Sequence, residues 1–156
     1  MEFNLIKKHE ELTKQINLLL SPESTCNNEK MIFELLEKSL TVFHAYDENF
    51  LKILILAFEK YQLKKNHQKC LQIAKLILMN YHENRSKFDS KTVDMEITLS
   101  MLCYNLKLFN EAYKHIINAK EILIIGYGED HPKVTQECRK ILQNIEIVKR
   151  KQMSST

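Results

Sequence analysis

The stretch "VDMEITLSM", Val93–Met101, decides the fold class of this chain. Apolar Val93, Met95, Ile97, Leu99 and Met101 alternate with Asp94, Glu96, Thr98 and Ser100. Taken alone, that period of two reads as a strand with one buried face. Extending the stretch changes the reading. Val93, Ile97, Met101 and Tyr104 fall on one helical stripe, and Met95, Leu99, Leu102 and Leu106 fall on another. A helix with neighbours on two sides shows both stripes. Composition settles the choice, because two Gly and two Pro in 156 residues are too few for the turns of a β protein. The segment is predicted to be a helix, and the chain all-α.

Working outward, helical spacing predicts about seven helices. Leu5, Leu12, Ile16 and Leu19 mark residues 2–20, and Ile32, Phe33, Leu36 and Leu40 mark a second helix over 29–44. "SPESTCNNE" separates them with breaking residues. Asp47 or Glu48 opens the third helix, and "KKNHQ" turns it into the fourth. "HENRSKFDSK", residues 82–91, reads as the longest polar loop. The sixth helix covers 110–125 and the last runs from Pro132 to about Arg150. A single domain over 1–153 is expected, with a first hairpin at 2–44, repeat hairpins at 48–82 and 92–126, a closing helix at 132–150 and a 154–156 tail.

A degenerate repeat underlies these hairpins. "LKKNHQKCLQIAKLI" and "LKLFNEAYKHIINA" each carry one helix through a short polar turn into the next. Cys70 aligns with Ala112, a separation of 42 residues, against ~34 in an ordinary tetratricopeptide repeat. Small residues such as Ala112 and Ala119 permit a close helix crossing. The expected architecture is a right-handed stack of tetratricopeptide-like antiparallel hairpins.

Charge and cysteine usage narrow the function classes. A net charge of +3 with interspersed signs gives no nucleic-acid footprint. The basic cluster Lys149, Arg150 and Lys151 suits the negative end of a helix. Cys26, Cys70, Cys103 and Cys138 are too dispersed for a local zinc or redox motif, and read as buried thiols in a reducing compartment. The apolar runs at Ile53–Phe58 and Ile122–Ile125 are too short to span a bilayer, and no signal peptide is expected. Cytoplasmic residence is expected, with the nucleus as the alternative.

"IIGYGEDHPKV", residues 124–134, holds both glycines and looks at first like chemistry. A dinucleotide loop needs Gly-x-Gly-x-x-Gly after a strand, and here His131 stands in place of the third Gly. Carboxylates flank His131, but no second His lies at ligand spacing. The stretch reads as a bend, with Gly126 left-handed at the helix end, Gly128 in the return, His131 as cap and Pro132 in the first turn. "NHQKC", Asn66–Cys70, is superficially similar to the Asn-His-Ser-Cys of SET-domain enzymes, but its Cys is one place too late. His9, His44, His82 and His115 read as isolated surface or core residues, and no catalytic set assembles from local context.

The order of these features resembles the C-terminal helical domain of the SET- and MYND-domain (SMYD) lysine methyltransferases. The matching segments are "NFLKILILAFEKY", "CLQIAKLILMNYHE", "LKLFNEAYKHI" and "AKEILIIGYGEDHPKV", and the likeness runs from about Glu2 to Arg150. In that family the SET domain carries out methyl transfer, and Cys-rich segments hold zinc. Neither is present here, so no catalytic, cofactor-binding or metal-binding residue carries over to any position. The resemblance implies a non-catalytic domain that walls a substrate cleft, with a SET domain or another protein as partner. Any methyltransferase activity would need a SET domain that this chain lacks. Similar Gly-x-x-His-Pro linkers and a similar period occur in kinesin-light-chain repeats, which implies the alternative of a free-standing tetratricopeptide adaptor.

Repeat alignment places Ile55, Leu63, Ile97, Met101 and Tyr104 on inner helix faces, as a candidate interaction groove or as covered core. A clamp for an acidic chaperone tail is not expected, since Ile55, Glu59 and Thr98 occupy its Lys and Asn positions and only Lys52 is basic nearby. No cofactor, nucleic acid or membrane partner is expected.

Overall fold

In a computed structural model, residues 2–21, 29–86 and 88–154 are described. Seven α-helices and no strand occur among them, so the chain is all-α. The chain gathers into two compact units, residues 1–66 and 67–156. The boundary falls at the turn inside the expected 48–82 hairpin.

The first unit contains α1 (Glu2–Leu19), α2 (Glu29–Leu40) and α3 (Glu48–Leu63). Each helix packs on the other two. Ile16, Ile32, Ile53 and Leu54 are fully buried, each from an apolar stripe at helical spacing. α2 ends four residues before the expected 44 because the chain turns there. The Ser39 carbonyl accepts from Val42 N–H at 3.1 Å and from Phe43 N–H at 2.9 Å, which brings Phe43 into the core near Phe50. Asp47 then caps α3, accepting from the Asn49 and Phe50 N–H groups at 2.7 and 3.2 Å. Its second carboxylate oxygen lies 2.9 Å from His9 Nε2 of α1. Cys26 lies outside the described residues.

The second unit contains α4 (His67–Asn84), α5 (Ser90–Asn105), α6 (Phe109–Tyr127) and α7 (Arg139–Met153), with a π-helical segment, Lys133–Cys138, leading into α7. The deciding stretch lies in α5, which packs between α4 and α6. Val93, Ile97, Leu99 and Leu102 are all buried, so both sides of α5 are used. At the α5–α6 crossing Ala112 is fully buried, and the Ser100 hydroxyl donates to its carbonyl at 2.8 Å. A larger side chain there would separate the helices. α7 and the π-helical segment pack on α6.

α3 and α5 end in the same way, each within its own unit. Lys65 has φ 55° and Lys107 has φ 62°, both left-handed, and they stand 42 residues apart. Asn66 N–H donates to Tyr61 O and Lys65 N–H to Gln62 O. Leu108 N–H donates to Cys103 O and Lys107 N–H to Tyr104 O in the same pattern. These are paired Schellman closures. The backbone thus repeats at the spacing read from the side chains, although lysine occupies the place that glycine usually takes.

The glycine stretch needs one correction. Gly126 is not the left-handed residue. α6 continues through Tyr127, and Gly128, with φ 93°, ends it. At Gly126 the constraint is space: a Cβ there would stand 3.1 Å from a ring atom of Phe88, which would have to give by a few tenths of an ångström. The expected cap is present. His131 Nδ1 accepts from Lys133 N–H at 3.3 Å, and Pro132 follows with helical φ −54°. The loop before α5 is shorter than 82–91, because α4 runs through Asn84 and α5 starts at Ser90. Arg85 bonds Asp89 at 3.3 Å, and the Tyr127 hydroxyl donates to the Phe88 carbonyl at 3.0 Å.

Candidate functional site

Ile55 and Leu63 lie on α3 in the first unit; Ile97, Met101 and Tyr104 lie on α5 in the second. Ile55 and Leu63 are exposed, Leu63 to 78%. Ile97, at 4% exposure, is core rather than groove, because it shares the buried face that meets the neighbouring helices. Met101, one turn further along, is 51% exposed.

Met101 and Tyr104 form one wall of a notch of about 230 Å³ whose other wall is Ile141 of α7. α7 supplies this wall while packing on α6 and on the π-helical segment. Tyr104 is held from behind by Phe109, ring edge to ring face with centroids 5.6 Å apart. Asn105 and Asn144 stand in the lining. Each amide supplies both donors and an acceptor, the set that a peptide backbone requires. An apolar notch with an aromatic wall and two neutral amides suits an aliphatic side chain on an extended segment.

A polar cluster lies deeper in the same unit. Glu96 of α5 is buried, its side chain 3% exposed, with one oxygen 2.6 Å from His115 Nδ1 of α6 and the other 3.8 Å from His82 Nε2 of α4. Sequence reading missed this cluster and took both histidines as isolated. The available signal was a Glu on the Thr92–Ser100 face, whose other members are small and polar. Thr92 and Ser100, one turn to either side, are also buried. Among the described residues no three His, Cys, Asp or Glu side chains are grouped so as to hold a metal ion. Glu96 ties α5 to α6 through the His115 bond, with His82 of α4 nearby but beyond hydrogen-bonding distance.

Cys70, Cys103 and Cys138 are buried free thiols. Burial pushes each thiol above its ordinary range, and for Cys103 the neighbouring Glu111 adds to the effect. A thiol so placed is a poor nucleophile. Lys52 bonds Asn49 at 3.3 Å, and the Thr98 hydroxyl donates to the Asp94 carbonyl at 2.7 Å.

No protein-family model and no curated protein matches this chain. No helix among the described residues is long and apolar enough to cross a membrane.

Proposed function

We propose that this chain is a non-catalytic protein-interaction module, and that the notch between α5 and α7 receives an aliphatic side chain of a partner segment in extended conformation. The observation that carries the reading is Met101, half exposed beside the fixed Tyr104 ring and flanked by the Asn105 and Asn144 amides. An apolar side chain left open beside paired amides gains by burying against a partner. The role corresponds to that of the helical domain in SET- and MYND-domain methyltransferases, which walls a substrate cleft; the partner is then a SET domain or a protein segment in the cytoplasm or nucleus. The repeated lysine closures, 42 residues apart, favour a second reading, a tetratricopeptide adaptor of the kinesin-light-chain kind.

Selection of displayed peptides on the intact protein tests the notch. Selected peptides should share an aliphatic residue, bind wild type and lose binding to Met101→Lys, whose melting temperature stays close to wild type. Ile97→Lys should instead unfold the second unit, because it buries an unpaired ammonium. Undiminished peptide binding by a folded Met101→Lys protein refutes the site. Stoichiometric binding of S-adenosylmethionine in calorimetry would refute the non-catalytic reading.

A further inference from the structure

We infer that the first unit carries a separate docking groove between α1 and α2, whose occupant is an acidic amphipathic helix of a partner protein. The groove encloses about 410 Å³. Leu12 and Val42 form its apolar floor, and Lys7, Lys8 and Lys38 stand around it with a single carboxylate, Glu11. Glu11 already accepts a 2.9 Å bond from the Gln15 amide.

The position of the groove follows from helix geometry. His9 turns toward Phe43 and Asp47 at the start of α3. Lys8 is about 100° away around α1 and lines the groove. α3 therefore covers one side of the α1–α2 pair, and the opposite side is open. A helix laid there would pack against two antiparallel helices, as the fourth member of a bundle does. Its apolar stripe would meet Leu12 and Val42, and its flanks would meet the Lys8 and Lys38 ammonium groups. Glu or Asp on those flanks complements the charge, and Lys or Arg opposes it. This groove belongs to the first unit and does not depend on the notch of the second.

A labelled synthetic helix with Leu on one stripe and Glu on both flanks is the probe, titrated with the full chain in fluorescence anisotropy. The same peptide with Lys flanks is its counterpart. Wild type should bind the Glu peptide at least ~10-fold more tightly than the Lys peptide, and the preference should shrink as salt is raised. Lys8→Glu with Lys38→Glu, both exposed and so compatible with the fold, should reverse the preference. Met101→Lys should leave it unchanged, which separates this groove from the α5–α7 notch. Equal affinity for the two peptides, or no binding of the Glu peptide, overturns the proposal. So does capture of the protein by phosphatidylserine vesicles with no binding of either peptide.

Discussion

Replacing His115 with Leu should destabilise the second unit by about 2–3 kcal/mol, and the reason lies in Glu96. The carboxylate is buried and depends on His115 Nδ1 at 2.6 Å, since His82 at 3.8 Å is beyond hydrogen-bonding range and 44% exposed. Breaking a fully buried ionic or charge-assisted pair from one side costs ~3–5 kcal/mol, because the remaining group stays desolvated and unpaired. His115 is 19% exposed, so water can reach the vacated position and lower that figure. Glu96→Leu alone removes the desolvated group and should cost less. The double replacement, Glu96→Leu with His115→Leu, leaves neither group stranded. It should be less destabilising than the sum of the single changes by about 2 kcal/mol. Urea unfolding of the four proteins, followed by helix circular dichroism at neutral pH, measures the coupling. A His115→Leu loss below about 0.5 kcal/mol, or strictly additive single changes, would refute the assignment of Glu96 as a buried group dependent on that bond.

Other outcomes follow from single residues. Lys65→Gly and Lys107→Gly should each raise stability by roughly 0.5–1 kcal/mol, because glycine removes the strain of a left-handed lysine at a helix closure; a loss of stability in both would contradict the observed φ values. Cys70, Cys103 and Cys138 should resist iodoacetamide at neutral pH in the native protein and react in urea, as read by mass spectrometry of the modified peptides. Asp89 is held below the usual carboxylate range first by the Lys91 N–H and then by Arg85, against some burial. Its contribution to stability is present in full above the range of an unfolded aspartate and is lost as pH falls through its lowered folded value. The stability gap between wild type and Asp89→Ala should therefore be largest near neutral pH and close in acid.

Helix positions were legible because burial imposes a period, and α5 shows how much context that period needs. Its alternating letters match a strand, yet neighbours on both sides bury two arcs of one helix, and two arcs of a helix can mimic alternation. Helix ends were less legible. α2 looked longer because Phe43 continues the apolar pattern, although it reaches the core from a turn closed by the Ser39 carbonyl. Periodicity reports which residues are buried and is silent on whether helix or turn brings them there. Gly126 makes the same point. A glycine near a helix end reads as a left-handed cap, but here it clears space for the Phe88 ring, a contact 38 residues distant in sequence.

The candidate site was legible only in part, and the division between Ile97 and Met101 shows the physical reason. Four residues along a helix advance a side chain by about 40° around the axis and one turn along it. The sequence gives both residues the same apolar character and places them on one stripe. Whether each is covered depends on where the neighbouring helices lie. Ile97 is covered where α5 packs between its neighbours, while Met101, beside Tyr104 and facing Ile141 of α7, stays half open. Glu96 shows the converse: its character marks it as solvent-facing, yet His115, 19 positions away, supplies a hydrogen-bonding partner that makes burial tolerable. In both cases the deciding quantity is the placement of another helix. A stripe in one helix therefore constrains its buried face and leaves open whether the next turn of that face is core or binding surface.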